Sequence, residues 1–161
     1  MVEPKSSPLE YFKLLGVFAL ILGITLASGA RISDAQNLMR IFMGVFFTIF
    51  AIFKLVDLKM FSYVFASYDL LAKRLRTYGL IYPFIELTLG VLYLMGLGGF
   101  WRDIFTAGIL LFGSIGIALK LRTKEIVPCA CLGKYIRLPL STVSLFEDVG
   151  MGLMAIGMML I

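Results

Sequence analysis

Histidine is absent from this chain, and charge is scarce. Without histidine there is no imidazole for haem, and none to complete a zinc site beside two cysteines. No glycine fingerprint for a dinucleotide occurs either. Charged residues make up 16% of the 161 residues and hydrophobic ones 60%. A soluble domain carries about 25% charge, so the ordinary soluble class is excluded. The composition defines an all-α polytopic membrane protein, one integral membrane domain over residues 1–161. The net charge of +5 does not make it a nucleic-acid partner. Its basic residues lie between apolar segments and form no stripe.

A membrane-crossing helix needs about 17–25 mainly apolar residues. Five stretches qualify or nearly do: 11–28, 38–56, 79–97, 103–121 and 142–161. The "ASGA" that follows the first resembles a signal cleavage site, but Glu3 and Glu10 offset Lys5 and Lys13, so an uncleaved span is expected. The N-terminal tail, the stretch from Lys54 to Arg76 and the stretch from Lys120 to Arg137 hold twelve of the fifteen Lys and Arg. That asymmetry predicts a prokaryotic inner-membrane protein with these segments in the cytoplasm and the C-terminus outside. Trp101 then marks the opposite interface, and Arg40 is expected to be a surface anchor there. Ala19, Gly23 and Ala27 recur every fourth residue, as do Ser114 and Ala118. Such series predict faces where helix backbones approach closely.

Several polar residues sit where lipid should be. Glu86 lies about 10 Å inside the third expected span, three residues after Pro83. A carboxylate at that depth must face the bundle interior or be protonated. It is either a proton or cation site or an interhelical bond that fixes packing. Lys54 and Asp57 share a face at the end of the second span, which predicts an interfacial ion pair with the lysine reaching outward. Glu147 and Asp148 are adjacent, so they point about 100° apart on a helix. One is expected to face Glu86 or Lys54, the other the water layer. The predicted topology brings Lys54, Asp57, Glu86 and Glu147 to one level with the two cysteines, which argues for a single polar site.

Those cysteines, Cys129 and Cys131, stand in "PCACLG". A disulfide between residues two apart closes a small strained ring, and a strained disulfide suits exchange better than structure. Pro128 and Gly133 fit a turn, and the nearby lysines and arginines favour thiolate. Two thiolates also suit a soft ion such as Cu(I) or Hg(II). The nine methionines, four of them in "MGLMAIGMM", offer thioethers, although such residues are more often apolar filler. The plainest reading of the cysteines is a pair of small buried side chains.

Taken together, "FKLVDL", "YPFIEL" and the C-x-C-L-G loop followed by "LPLSTVSLFED" resemble the MauE/DoxX group of redox-associated membrane proteins. The resemblance spans two blocks, from Phe42 to Leu94 and from Pro128 to Gly152. It implies a DoxX-like four-helix core plus one additional N-terminal transmembrane helix. It also implies a role in protein maturation, in which a thioredoxin-like partner forms disulfides in the methylamine dehydrogenase small subunit. Some relatives carry an N-terminal heavy-metal domain, whereas only ten residues precede the first span here.

The expected function is therefore a membrane thiol-redox protein. Cys129 and Cys131 form the redox pair, Glu86 and Glu147 handle protons, and Lys54, Asp57 and Asp148 support the site. No cofactor is expected. The alternatives are a soft-metal transporter or handler that uses the same thiolates with a metallochaperone partner, and a structural membrane subunit. Export-side disulfide chemistry wants the cysteines outside, whereas the charge count puts them inside. They therefore either serve cytosolic partners or lie on a re-entrant loop.

Overall fold

The computed structural model describes residues 8–29, 34–123 and 142–160, and no strand occurs among them. The elements are α1 (Pro8–Gly29), α2 (Ala35–Val56), α3 (Leu58–Phe65), α4 (Leu70–Arg74), α5 (Arg76–Met95), α6 (Gly99–Arg122) and α7 (Thr142–Leu160). Helices α1, α2, α5 and α6 are long and apolar enough to cross a membrane. Helix α7 adds 19 residues at the fifth expected position. The chain is an all-α membrane bundle.

The helix ends follow local chemistry. Asp34 accepts from the Gln36 amide at 3.2 Å, which starts α2 three residues earlier than hydropathy suggests. Gly96 takes φ 70, the left-handed conformation that ends α5 at Met95. Because α5 already begins at Arg76, Glu86 stands about 15 Å along it, deeper than the sequence implied.

Residues 57–75, in the segment between the second and third expected spans, fold into the two short helices α3 and α4. Aspartates start both. Asp57 accepts from the Met60 amide at 3.2 Å, and Asp69 from the Leu71 and Ala72 amides at 2.9 and 2.7 Å. Burial pushes the Asp69 carboxyl above its usual range, against the downward pull of those two amides. Phe61 and Phe65, one turn apart, point inward, while Tyr63 is 79% exposed. Short amphipathic helices of this kind lie below the length that hydropathy windows detect.

Two antiparallel pairs, α2 with α5 and α6 with α7, make the four-helix core, and α1 lies along the outer side of α2. The main core gathers Phe46, Phe47, Phe50, Leu89, Leu110 and Met151. A second, aromatic cluster forms around Phe61, Phe65 and Tyr68. The ends of two long helices meet there, because Leu121 of α6 and Leu145 of α7 both pack against it. Lipid tails are as apolar as these side chains, so close fit holds the helices together rather than exclusion from water.

Backbones approach closely between α2 and α5. A Cβ on Gly44 would lie 2.9 Å from the Leu94 amide nitrogen, and one on Gly90 2.9 Å from that of Thr48. The expected Ala19, Gly23 and Ala27 series does not serve this purpose. All three residues are exposed, and nothing lies within 4 Å of a Cβ on Gly23. Helix α1 instead uses Leu14, Val17, Phe18 and Ile21, whose bulk fits the phenylalanine face of α2. Of the second series, Ser114 is buried and donates to the Leu111 carbonyl at 2.7 Å. Between Ser114 and Ala118, Gly116 lets α6 approach the Tyr68 carbonyl.

A Gly90→Ala variant is expected to lose about 1–3 kcal/mol, because its new methyl meets backbone. Gly23→Ala should be neutral within about 0.5 kcal/mol. Unfolding titrations in mixed micelles measure both.

Candidate functional site

The register in which Gly44 meets Leu94 and Thr48 meets Gly90 brings the last turn of α2 beside the middle of α5. Lys54 and Glu86 come together there. The Lys54 Nζ donates to both Glu86 carboxylate oxygens at 2.6 Å. The two residues are only 6% and 5% exposed. Intramembrane charges are tolerated when they pair inside a bundle, and these two do.

Aromatic rings close over the ammonium. Its nitrogen stands 5.1 Å from the Tyr82 ring centroid and 5.6 Å from that of Phe61. Ring faces attract a desolvated cation. Lys54 also lies in the last turn of α2, where the helix dipole favours positive charge. Three elements thus build one site: α2 supplies the lysine, α5 the glutamate and Tyr82, and α3 the second ring. Pro83 stays within a continuous α5, and its missing amide frees the Gly79 carbonyl, about two turns before Glu86.

Glu86 also lines a small cavity of about 10 Å³ with Phe47, Tyr82 and Thr106. That is near the smallest space that holds one water. Thr106 is fully buried, on the same side as the Tyr93 hydroxyl.

The expected Lys54–Asp57 ion pair is corrected. Lys54 turns inward to Glu86, because a buried carboxylate needs a counter-charge that an interfacial one finds in water. Asp57 caps α3 instead. Arg40 is no free surface anchor: its Nη1 donates to the Tyr93 and Leu94 carbonyls at 2.7 and 3.1 Å and closes the end of α5. Glu147 and Asp148 are half-buried near the start of α7, at the same end of the bundle as the aromatic cluster. Met151 and Met158 are buried in the main core. Cys129 and Cys131 lie outside the described residues. The helices on either side of them, α6 and α7, end and begin at the Lys54 end of the bundle.

A second charged group escaped the sequence reading. At the opposite end, Arg102 forks onto its neighbour Asp103 at 2.9 and 3.2 Å and donates to the Leu97 carbonyl at 3.1 Å. Its guanidinium lies 4.0 Å from the Tyr93 ring centroid. Arg102 and Asp103 are both buried. This cluster ties the start of α6 to the end of α5. In the sequence, Arg102 looked like one loop charge beside Trp101, which is indeed exposed at that end.

Residues 32–161 match the family model described as methylamine utilisation protein MauE. The chain belongs to the MauE family. The match begins after α1 and takes in all four core helices, so α1 is the addition that the motifs implied. It also contains the buried pair, the aromatic cluster and the cysteine segment of this MauE-family chain. No curated protein and no solved structure matches the chain.

Replacing Lys54 by Met leaves Glu86 buried without its counter-ion and should cost about 3–5 kcal/mol. Replacing both residues by apolar ones should recover most of that loss. Mixed-micelle unfolding of the two single variants and the double variant gives the comparison.

Proposed function

We propose that this MauE-family protein is a membrane thiol-redox protein that assists protein maturation. Cys129 and Cys131 exchange a disulfide with a thioredoxin-like partner. The observation that carries the reading is the placement of the buried Lys54–Glu86 pair. The aromatic cluster that covers the pair packs against Leu121 and Leu145, where α6 stops and α7 starts, so the chain carrying both thiols leaves and returns on that side of the pair.

The exchange balances without a cofactor. A partner thiolate attacks a sulfur of the Cys129–Cys131 disulfide, and a mixed disulfide forms as the other sulfur of the pair leaves. The partner's second thiolate then closes the partner's own disulfide and releases the pair as a dithiol. Two electrons pass to the pair, and the two protons lost by the partner end on Cys129 and Cys131. In this reading Glu86, held by Lys54, and Glu147, near the start of α7, relay those protons. Lys120 and Arg122, in the last turn of α6, supply positive charge that favours thiolate. The two-residue spacing keeps the ring strained, so the disulfide is readily passed on.

The basic end also carries Lys59, Lys73, Arg74 and Arg76, which supports a cytoplasmic position for it.

Thiol titration of the purified protein with and without reductant should show two thiols that appear only after reduction. Cys131→Ser should trap a mixed disulfide with a thioredoxin-like protein. An impermeant thiol reagent should label the pair from the cytoplasmic side of oriented vesicles. Unchanged titration together with stoichiometric Cu(I) retention would replace this reading with soft-metal handling.

A further inference from the structure

A surface hollow of about 550 Å³ lies where α3 and α4 meet the first turns of α5. Lys59, Lys73 and Arg76 line it, and no carboxylate does. None of the three forms a salt bridge among the described residues. Three like charges gathered in one concavity repel one another, and the walls focus their field outward. The start of α5 adds to that field. Leu75 at its N-cap provides no side-chain acceptor, so the positive end of the helix dipole is left uncapped there.

Ser62 and Ser67 add hydroxyls to its wall, and Ala66, Tyr63 and Leu80 complete the lining. Tyr63 and Leu80 are 79% and 39% exposed. Leu80 belongs to a membrane-crossing helix, one turn beyond Arg76. Cationic and apolar walls thus meet at the level where α5 enters the membrane. A fitting occupant has an anionic head beside an apolar tail.

We propose that this hollow binds the headgroup of an anionic phospholipid, with Lys59, Lys73 and Arg76 around the phosphate and the acyl chains running down α5 past Leu80. Basic pockets at the cytoplasmic side of membrane helices suit such headgroups. The proposal stands apart from the cysteine chemistry and does not need it.

Native mass spectrometry of the full chain in detergent, loaded with phosphatidylglycerol or phosphatidylcholine, provides the test. Wild type should retain phosphatidylglycerol in preference to phosphatidylcholine. Lys73→Gln and Arg76→Gln should each weaken that retention about fivefold. Arg74→Gln, on α4 but outside the lining, should leave it unchanged. An equal loss in Arg74→Gln would reduce the effect to general charge and overturn the site. Absence of any lipid preference in wild type would overturn it as well. Displacement of the lipid by an equal concentration of inorganic phosphate would show a free-anion site instead.

Discussion

The bundle is organised around one buried ion pair. Glu86 stands in the middle of a membrane-crossing helix, where an unpaired carboxylate is costly. Lys54 must therefore stay within reach, and that fixes how α2 and α5 slide against each other. The glycine contacts enforce the same register from a different direction. Gly44 and Gly90 permit backbone approach only where Leu94 and Thr48 face them. Electrostatics and close fit thus specify one alignment. The aromatic cluster then builds on it, since Phe61 and Tyr82 are held where they can cover the ammonium.

The two ends of the core carry different kinds of charge chemistry. At the Trp101 end, Arg40 and Arg102 are consumed by backbone carbonyls and by Asp103. They lock a short glycine turn. At the Lys54 end, one lysine is buried with a glutamate while several cations remain on the surface around α3 and α4. The cysteine segment leaves from the Lys54 end.

Much of this was legible in the sequence. Long apolar runs located every long helix, because a bilayer imposes a minimum length on them. The depth of Glu86 announced a buried site, and the ordered motifs pointed to the MauE family. The partner of Glu86 was not legible. Lys54 is 32 residues away, and its nearest acid in the chain is Asp57, so local spacing pointed to the wrong one. Only the α2–α5 register decides between them. The small-residue series misled for a related reason. A four-residue repeat marks a face that can pack closely, yet the bulky face of α1 was the one that matched the phenylalanines of α2. Arg102 and Asp103 were missed because adjacent charges at a helix start look like an interface, whereas here they fold inward over Tyr93.

The central claim is that the buried pair and the cysteine pair form one working site. Rates of thiol alkylation against pH, in the reduced protein, test it most directly. If the site is shared, Glu86→Gln frees the Lys54 charge and moves the onset of thiol reactivity to lower pH, while Lys54→Gln moves it to higher pH. Coincident profiles for wild type and both folded variants would contradict the claim and separate the ion pair from the thiols.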